Sequence, residues 1–363
     1  MSRLAAEHGA INLSQGFPDF DIAPELIELV RKAMREGFNQ YAPMTGVPAL
    51  REAIADKIET LHGVRCDPDK EINITAGATQ GIYAAIQSVV HAGDEVILLA
   101  PAYDCYAPAV LVNGGRPVFI DLDPPSYSVD WDKVRCAVTP KTKMIVVNTP
   151  HNPTGAVMDA SDMRQLEGIT RGTGIIILSD EVYEHIIFDG REHQSMLRFP
   201  RLAERSFVVF SFGKTLHATG WKTGYCVAPA ELMEEFRSIH QFMVYACNTP
   251  IQQALAEYLR NPAGYSGISA MYQKKRDLFL RLIRDSRFTF KPAAGSYFQL
   301  LDYGRITDER DTEFAVRMTR EFGVAAIPVS VFYESPVDNR VLRFCFAKKE
   351  ETLERAAEIL CRI

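Results

Sequence analysis

The chain has 363 residues, of which 40 are Lys or Arg and 46 are Asp or Glu, so its formal net charge is −6. A mildly acidic chain without a long basic run is a poor candidate for binding nucleic acid or an anionic membrane surface. No apolar run approaches the ~18–20 residues of a membrane span. Seven cysteines are scattered without a CxxC pair, which favours free thiols in a cytoplasmic protein and no structural metal.

Short apolar runs alternate with longer amphipathic stretches through the first two thirds of the chain. Strands are predicted at 71–76, 95–100, 117–120, 143–148, 174–179, 206–211 and 224–228. Helices are predicted at 79–91, 160–171 and 230–242. Buried Val/Ile/Leu strands separated by helices predict an α/β fold with a mostly parallel sheet covered on both faces. Ligands bind such sheets at the carboxyl ends of the strands.

The tail of the chain mixes strands and helices in shorter units. A polar helix is predicted at about 267–285, and further helices at 312–322 and from residue 350 onward. The strands predicted between them lie at 296–301, 324–329 and 341–346. This pattern predicts a second, smaller α+β domain, in agreement with a length of roughly two domains.

Two familiar phosphate-binding fingerprints are incomplete. The letters GKT at 213–215 resemble the end of a P-loop, but that motif needs a glycine at position 208, which is Val208. A dinucleotide fingerprint starting with GTG at 172–174 needs a glycine at position 177, which is Ile177. A P-loop nucleotidase and a nicotinamide oxidoreductase therefore lack sequence support, although the α/β pattern alone keeps the oxidoreductase as an alternative.

Polar stretches follow several predicted strands. They are TAGATQ at 75–80, TPHNPTG at 149–155, SDEVY at 179–183 and SFGKT at 211–215. Small residues at 75–80 leave backbone N–H groups at a helix N-terminus free for a phosphate. Asp180 ends a buried strand, where its charge needs a partner. Lys214 ends another, and burial lowers the pKa of lysine toward that of a nucleophile.

These stretches, together with four further motifs in this order, resemble the class I/II aminotransferases of fold type I, which use pyridoxal 5′-phosphate (PLP). The further motifs are LSQGFPDF at 13–20, QYAPMTGVPALREAI at 40–54, TGWKTGYCVAP at 219–229 and RFCFAKKE at 343–350. The resemblance covers essentially the whole chain and is greatest to methionine aminotransferases and the kynurenine/glutamine branch. It implies a large PLP-binding domain at 37–270 and a small domain formed by 1–36 and 271–363.

The resemblance also implies a role for each site residue. Lys214 corresponds to the lysine that binds PLP covalently, Asp180 to the aspartate that keeps the pyridine nitrogen protonated, and Arg343 to the arginine that binds the substrate α-carboxylate. The other implied cofactor contacts are Gly77, Ala78, Thr79, Tyr103, Asn152, Tyr183, Ser211 and Lys222. The implied substrate contacts are Gly16, Phe17 and Asn152. Tyr41 resembles the tyrosine that reaches the phosphate of the neighbouring subunit, which implies a homodimer with active sites at the interface.

The implied reaction moves the amino group of an apolar, aromatic or sulfur-containing L-amino acid, methionine first, to a 2-oxo acid by a ping-pong mechanism. Phe17, Tyr103 and Phe332 suggest an apolar side-chain pocket. A PLP-dependent cystathionine-type C–S β-lyase is the main alternative, because related lyases share the lysine, the aspartate and the arginine. A non-enzymatic regulator is a further alternative, but such proteins carry a DNA-binding region for which the short N-terminus leaves no space.

Overall fold

A computed structural model describes residues 1–363. Its strands are β1 (Ile11–Asn12), β2 (Ile72–Thr75), β3 (Glu95–Ala100), β4 (Arg116–Asp121), β5 (Thr142–Asn148), β6 (Ile176–Asp180), β7 (Ser206–Ser211), β8 (Gly224–Val227), β9 (Phe298–Asp302), β10 (Val324–Ala325), β11 (Ile327–Pro328) and β12 (Val341–Cys345). Its helices are α1 (Ser2–Glu7), α2 (Pro24–Arg35), α3 (Pro48–His62), α4 (Ala78–Val89), α5 (Tyr106–Val112), α6 (Trp131–Ala137), α7 (Ala160–Thr170), α8 (Pro200–Ala203), α9 (Phe212–Thr215), α10 (Ala230–Met243), α11 (Thr249–Leu259), α12 (Ala263–Ser266), α13 (Ile268–Leu282), α14 (Asp311–Arg317) and α15 (Glu350–Leu360).

The seven strands predicted in the first part of the chain form one sheet, in the order β2-β8-β7-β6-β5-β3-β4. Strand β8 runs antiparallel to both of its neighbours, and the other strand pairs of this sheet are parallel. The predicted α/β class with a mostly parallel sheet is therefore confirmed. The sequence did not reveal the reversed direction of β8, because apolar content alone carries no information about strand direction.

Both faces of this sheet are buried, as its apolar strands require. Along β5, Ile145 and Val147 pack into one hydrophobic cluster, whereas Met144 and Val146 pack into a second cluster on the opposite face. Successive side chains of a strand point to opposite faces, so an unbroken apolar run is what a doubly covered strand needs. None of the helices has the length and apolar character that a membrane crossing requires.

Two small sheets form in the tail. Strands β11, β12 and β9 pair in antiparallel fashion, and β10 pairs with β1 from the start of the chain. The single strand predicted at 324–329 is wrong, because the chain changes partner at Ala326 and leaves two short strands in different sheets. The β1–β10 pair joins the first residues to the tail, but the domain limits 37–270, 1–36 and 271–363 stay a prediction.

Strand β8 approaches its neighbours closely at Gly224. This residue lies opposite Thr75 in β2 and opposite Ser211 in β7. A Cβ atom at position 224 would lie 2.5 Å from the carbonyl oxygen of Phe210 and 3.0 Å from the amide nitrogen of Ala78. Because both neighbours are backbone atoms, they cannot move aside as a flexible side chain can.

We expect Gly224→Ala to destabilise the protein by about 1–3 kcal/mol, the usual cost of overpacking, measured as the free energy of unfolding in urea. Gly168→Ala is the matched control: position 168 lies in α7 with no heavy atom within 4 Å of a new Cβ atom. That control should gain about 0.5–1 kcal/mol from helix propensity. Equal effects of the two substitutions would contradict the packing argument.

Candidate active site

Polar residues at the ends of β5 and β6 are joined by one asparagine. Asn148, the last residue of β5, lies opposite Asp180, the last residue of β6. The Asn148 side chain donates to the backbone oxygen of Asp180 over 2.9 Å and accepts from the backbone nitrogen of Asn152 over 2.8 Å. The predicted site residues Asn152 and Asp180 are therefore fixed relative to each other. The Asn152–Pro153 peptide is cis.

Asp180 is buried and is held by two donors. The Tyr106 hydroxyl donates to Oδ2 over 2.6 Å, and the Val182 amide donates to Oδ1 over 3.3 Å. Burial raises the pKa of Asp180 to about 6, while the Tyr106 hydrogen bond acts in the opposite direction. Both donors favour the ionised form, so a cationic group placed beside Asp180 meets a carboxylate that is already oriented.

Lys214 lies in α9, directly after β7. Its Nζ atom donates to the Tyr297 hydroxyl over 2.9 Å and approaches the Gly16 carbonyl oxygen at 3.4 Å. Burial lowers the pKa of Lys214 to about 8, and the nearby positive charge of Lys222 acts in the same direction. At pH 7 the neutral fraction of this amine is therefore far larger than that of an ordinary lysine with a pKa of ~10.4, and the neutral form is the one that acts as a nucleophile or a base.

A cluster suited to an anion lies where β2, β7 and β8 meet. Because β8 is antiparallel, Lys222 just before its first residue lies at the same sheet edge as Gly77, the residue that precedes α4. Gly77 has φ = +81°, and a Cβ atom there would lie 3.4 Å from Lys222 Nζ. No side chain caps α4, so the amides of its first residues, Ala78 and Thr79, remain available to a ligand.

Arg343, on β12, is buried without a carboxylate partner in contact. Its Nη1 donates to Asn152 Oδ1 over 2.7 Å and its Nη2 to the Ser14 carbonyl over 3.0 Å. Its Nε atom is buried and makes no hydrogen bond. The guanidinium carbon lies 4.0 Å from the centre of the Phe298 ring. A buried guanidinium that is held by neutral groups is suited to binding an anion.

The remaining predicted tyrosines differ in whether they lie beside the site or at the surface. Tyr183 is buried, with its ring centre 5.0 Å from that of Tyr297. The ring centre of Tyr103 lies 5.7 Å from that of Tyr106, beside Asp180. Tyr41 differs from these residues, because it is 82% exposed and contacts Tyr245.

The predicted substrate residues Gly16 and Phe17 lie between Lys214 and the tail. A Cβ atom on Gly16 would lie 2.5 Å from the Phe298 ring. The Phe17 carbonyl oxygen accepts from Lys348 Nζ over 2.8 Å. Ser211 is the last residue of β7, opposite Gly224. The segment that carries Gly16 and Phe17 is thus closely packed against the tail of the chain.

Residues 8–360 match the family model of class I and II aminotransferases. The chain belongs to the class I and II aminotransferase family. A methionine aminotransferase of Escherichia coli is 48% identical over 361 residues, which cover 99% of this chain and 94% of that protein. A crystal structure of YbdL from E. coli, described as having a methionine aminotransferase function, aligns with a TM-score of 0.98 and 48% identity over 100% of this chain and 96% of that one.

Two further relatives extend the comparison. The structure of N-succinyldiaminopimelate aminotransferase from Mycobacterium tuberculosis aligns with a TM-score of 0.96 and 37% identity, covering 100% of this chain and 95% of that one. Human kynurenine–oxoglutarate transaminase 1 is 33% identical over 393 residues, covering 99% of this chain and 93% of that protein. The resemblance inferred from the motifs is therefore confirmed, and this protein is an aminotransferase of the fold type I architecture.

Sequence reasoning missed three residues of this candidate site. Tyr106 stands three positions after Tyr103, at the start of α5, and a second tyrosine so close to a predicted site residue was a usable signal. Asn148 ends a predicted strand, and its position was a weaker signal. Tyr297 contacts Lys214 across 83 positions, and nothing local in the sequence indicates this contact.

We expect Lys214 of the cofactor-free aminotransferase to react with acetic anhydride with a half-maximal rate near pH 8, because burial lowers its pKa to about that value. An ordinary lysine has a pKa of ~10.4. Quantitative mass spectrometry of the peptide that contains Lys214 follows the reaction, and exposed Lys291 in the same sample serves as the reference.

The variant Lys222→Ala provides the control for this measurement. Removal of the neighbouring cation should raise the half-maximal pH of Lys214, since like charges lower the pKa of an amine. If the acetylation of Lys214 followed the pH profile of an ordinary lysine, this would contradict the lowered pKa of Lys214.

Proposed function

We propose that this aminotransferase uses PLP to move the amino group of an apolar, aromatic or sulfur-containing L-amino acid, methionine first, to a 2-oxo acid. The observation that carries the proposal is the convergence of Lys214, Asp180 and Arg343 at one edge of the sheet. Lys214 is an amine with a lowered pKa, Asp180 is a buried carboxylate held by two donors, and Arg343 is a buried guanidinium without an acidic partner in contact.

The residues present fit the functional groups of PLP. Ala78 and Thr79 offer backbone donors to its phosphate, while the Gly77 amide donates to the Thr75 carbonyl over 2.8 Å and Gly77 leaves space beside Lys222. Ser211 lies at the same edge. The uncapped start of α4 beside a cation matches the charge of a phosphate. Asp180 would pair with the pyridine nitrogen and Lys214 with the aldehyde. Tyr183 and Asn152 would hold the ring oxygen, and Tyr103 would stack on the ring.

PLP, when bound, supplies an electron-poor ring that accepts the charge released when the substrate loses its Cα proton. Arg343 holds the α-carboxylate of the amino acid and thereby orients its Cα–H bond. Lys214, in its neutral form, takes the Cα proton at Nζ and later returns a proton. Asp180, held in its ionised form by hydrogen bonds from Tyr106 and Val182, would favour a protonated pyridine nitrogen. The two half-reactions use the same residues in opposite directions, which gives ping-pong kinetics.

The substrate preference rests on aromatic residues near Arg343. The Arg343 guanidinium carbon lies 4.0 Å from the Phe298 ring centre and 5.1 Å from the Phe332 ring centre. Phe17 is carried by the segment that Arg343 contacts at Ser14. Apolar walls favour an apolar side chain on the substrate. The 48% identity to a methionine aminotransferase places methionine first among these substrates.

Replacement of Lys214 by Ala should lower transamination by more than about 100-fold, since it removes the acid–base group. Formation of the 2-oxo acid from each of a panel of amino donors is the measurement. Methionine should give the highest kcat/KM, followed by phenylalanine and leucine, above aspartate and N-succinyldiaminopimelate. Lys291→Ala, which removes an exposed lysine, is the control and should retain the wild-type rate. A clear preference for aspartate would contradict the apolar pocket.

A second assay on the same enzyme preparation distinguishes C–S β-lyase activity from transamination. Cystathionine incubated without a 2-oxo acid yields pyruvate and ammonia if the enzyme cleaves the C–S bond. We expect no turnover under these conditions, because transamination needs an acceptor. Sustained release of pyruvate at a rate above that of methionine transamination would favour the lyase.

We further propose that the active enzyme is a homodimer in which Tyr41 reaches the phosphate of the neighbouring subunit. Four exposed residues form the apolar surface that supports this proposal: Tyr41, Met44, Phe242 and Tyr245. Tyr41 and Tyr245 stack edge to face at 5.2 Å, and Met44 shares a cavity with Gln241, the neighbour of Phe242. Exposed large apolar residues grouped in this way are typical of an interface.

Light scattering should give twice the chain mass for the wild-type protein. Phe242→Glu should shift the mass toward that of a single chain, because it places a charge on the apolar surface. Leu111→Glu changes an equally apolar but separate exposed residue on α5 and should leave the mass unchanged. A wild-type protein that is monomeric at micromolar concentration would contradict the dimer.

A further inference from the structure

Tyr297 lies between the amine of Lys214 and the backbone of Gly16. Its hydroxyl donates to the Gly16 carbonyl oxygen over 2.6 Å, and Lys214 Nζ donates to the same hydroxyl over 2.9 Å. Tyr297 is fully buried. The three groups come from the N-terminal segment, helix α9 and the residue before β9, so only the folded chain brings them together.

Donor and acceptor chemistry determines the direction of each hydrogen bond between Lys214, Tyr297 and Gly16. A carbonyl oxygen only accepts, so the single hydroxyl proton of Tyr297 points toward Gly16. The lone pairs of the Tyr297 oxygen therefore face Lys214, whose amine must act as the donor. The phenol cannot reverse its role while this contact persists.

This arrangement also determines where the lone pair of a neutral Lys214 amine points. A neutral amine has two N–H bonds and one lone pair. Its two available acceptors are the Tyr297 oxygen at 2.9 Å and, more weakly, the Gly16 oxygen at 3.4 Å. With both N–H bonds directed at these atoms, the lone pair points away from them and is free to take a proton.

We infer that Tyr297 is a positioning residue that orients the Lys214 amine so that its lone pair faces the substrate Cα–H bond. The inference rests on the proposed function, in which Lys214 is the base. In that step the Cα–H bond breaks, the proton moves to Lys214 Nζ, and the electron pair remains with the substrate carbon. Tyr297 touches neither the substrate carbon nor the moving proton and acts through Lys214.

The backbone segment that carries Ser14 and Gly16 connects the Tyr297–Lys214 contact to substrate binding. Arg343 Nη2 donates to the carbonyl of Ser14, two residues before Gly16. The guanidinium that would bind the α-carboxylate and the phenol that orients the amine therefore contact neighbouring carbonyls of one segment. A shift of this segment alters both the carboxylate contact and the orientation of the amine.

Tyr297→Phe removes the hydroxyl and keeps the ring. We expect kcat for methionine to fall roughly 10- to 100-fold, less than the ~100- to 10,000-fold that loss of the acid–base group itself costs, while KM changes less than about threefold. The kinetic isotope effect on kcat with α-deuterated methionine should increase, because proton transfer becomes slower relative to the other steps. A purely structural role would not selectively enlarge the isotope effect.

A measurement on the cofactor-free protein provides a second readout. The phenol oxygen accepts from Lys214 and stabilises its ammonium form more than its amine form. Without the hydroxyl, the half-maximal pH for acetylation of Lys214 should therefore move downward. An unchanged pH profile would show that Tyr297 does not contact the amine in solution.

Tyr303→Phe is the matched control. Tyr303 is also fully buried, follows the other end of β9, and donates to the backbone oxygen of Glu309 over 2.8 Å. It should leave kcat, the isotope effect and Lys214 acetylation unchanged. If Tyr297→Phe does not fold, 3-fluorotyrosine at position 297 tests the same point with a weaker acceptor and should lower kcat in the same direction.

The outcomes separate this inference from the proposed function. A wild-type enzyme without transaminase activity, or a Lys214→Ala variant with normal activity, would overturn the proposed function. A wild-type enzyme that depends on Lys214, combined with a Tyr297→Phe variant indistinguishable from Tyr303→Phe, would overturn the role of Tyr297 alone.

Discussion

The site depends on the shared edge at which parallel strands end. A strand that stops at such an edge leaves backbone groups without sheet partners, and buried groups of this kind are costly. Asn148 contacts two backbone groups here with one side chain: the amide of Asn152 and the carbonyl of Asp180, which also accepts from the Thr149 amide over 3.1 Å. These hydrogen bonds and the β5–β6 pairing hold the two strand ends together. They position Asp180 and Asn152, and Arg343 in turn is held by Asn152.

The reversed strand β8 completes this edge. Its first residue, Gly224, pairs with the last residues of β2 and β7, so Lys222, two positions earlier, comes close to Gly77 at the start of α4. A parallel strand in the same place would carry its first residues to the opposite edge of the sheet. The absence of a side chain at Gly224 lets three backbone segments meet. Strand direction and a single glycine thus assemble the anion-binding end of the site.

The buried charged groups of the site, away from the anion-binding end, contact mainly neutral groups. Lys214 contacts a phenol and a carbonyl, Arg343 an amide and a carbonyl, and Asp180 a phenol and an amide. Neutral partners offset part of the cost of burial without neutralising the charge. Each group therefore keeps an electrostatic preference for a ligand of opposite charge. The pKa of Lys214 is lowered and that of Asp180 is raised because the neutral partners offset only part of the cost of burying each charge.

The class of fold, the strands of the main sheet and the placement of Asp180 and Lys214 at strand ends were predictable from the sequence. These follow from apolar periodicity and strand-end position, which are local properties. The tertiary structure decided the direction of β8, the change of partner at Ala326, and the contacts of Tyr297 with Lys214 and Gly16. Those contacts join residues that are 83 and 281 positions apart. Such pairs arise from packing of the whole chain, because nothing in the pattern around one member specifies the other.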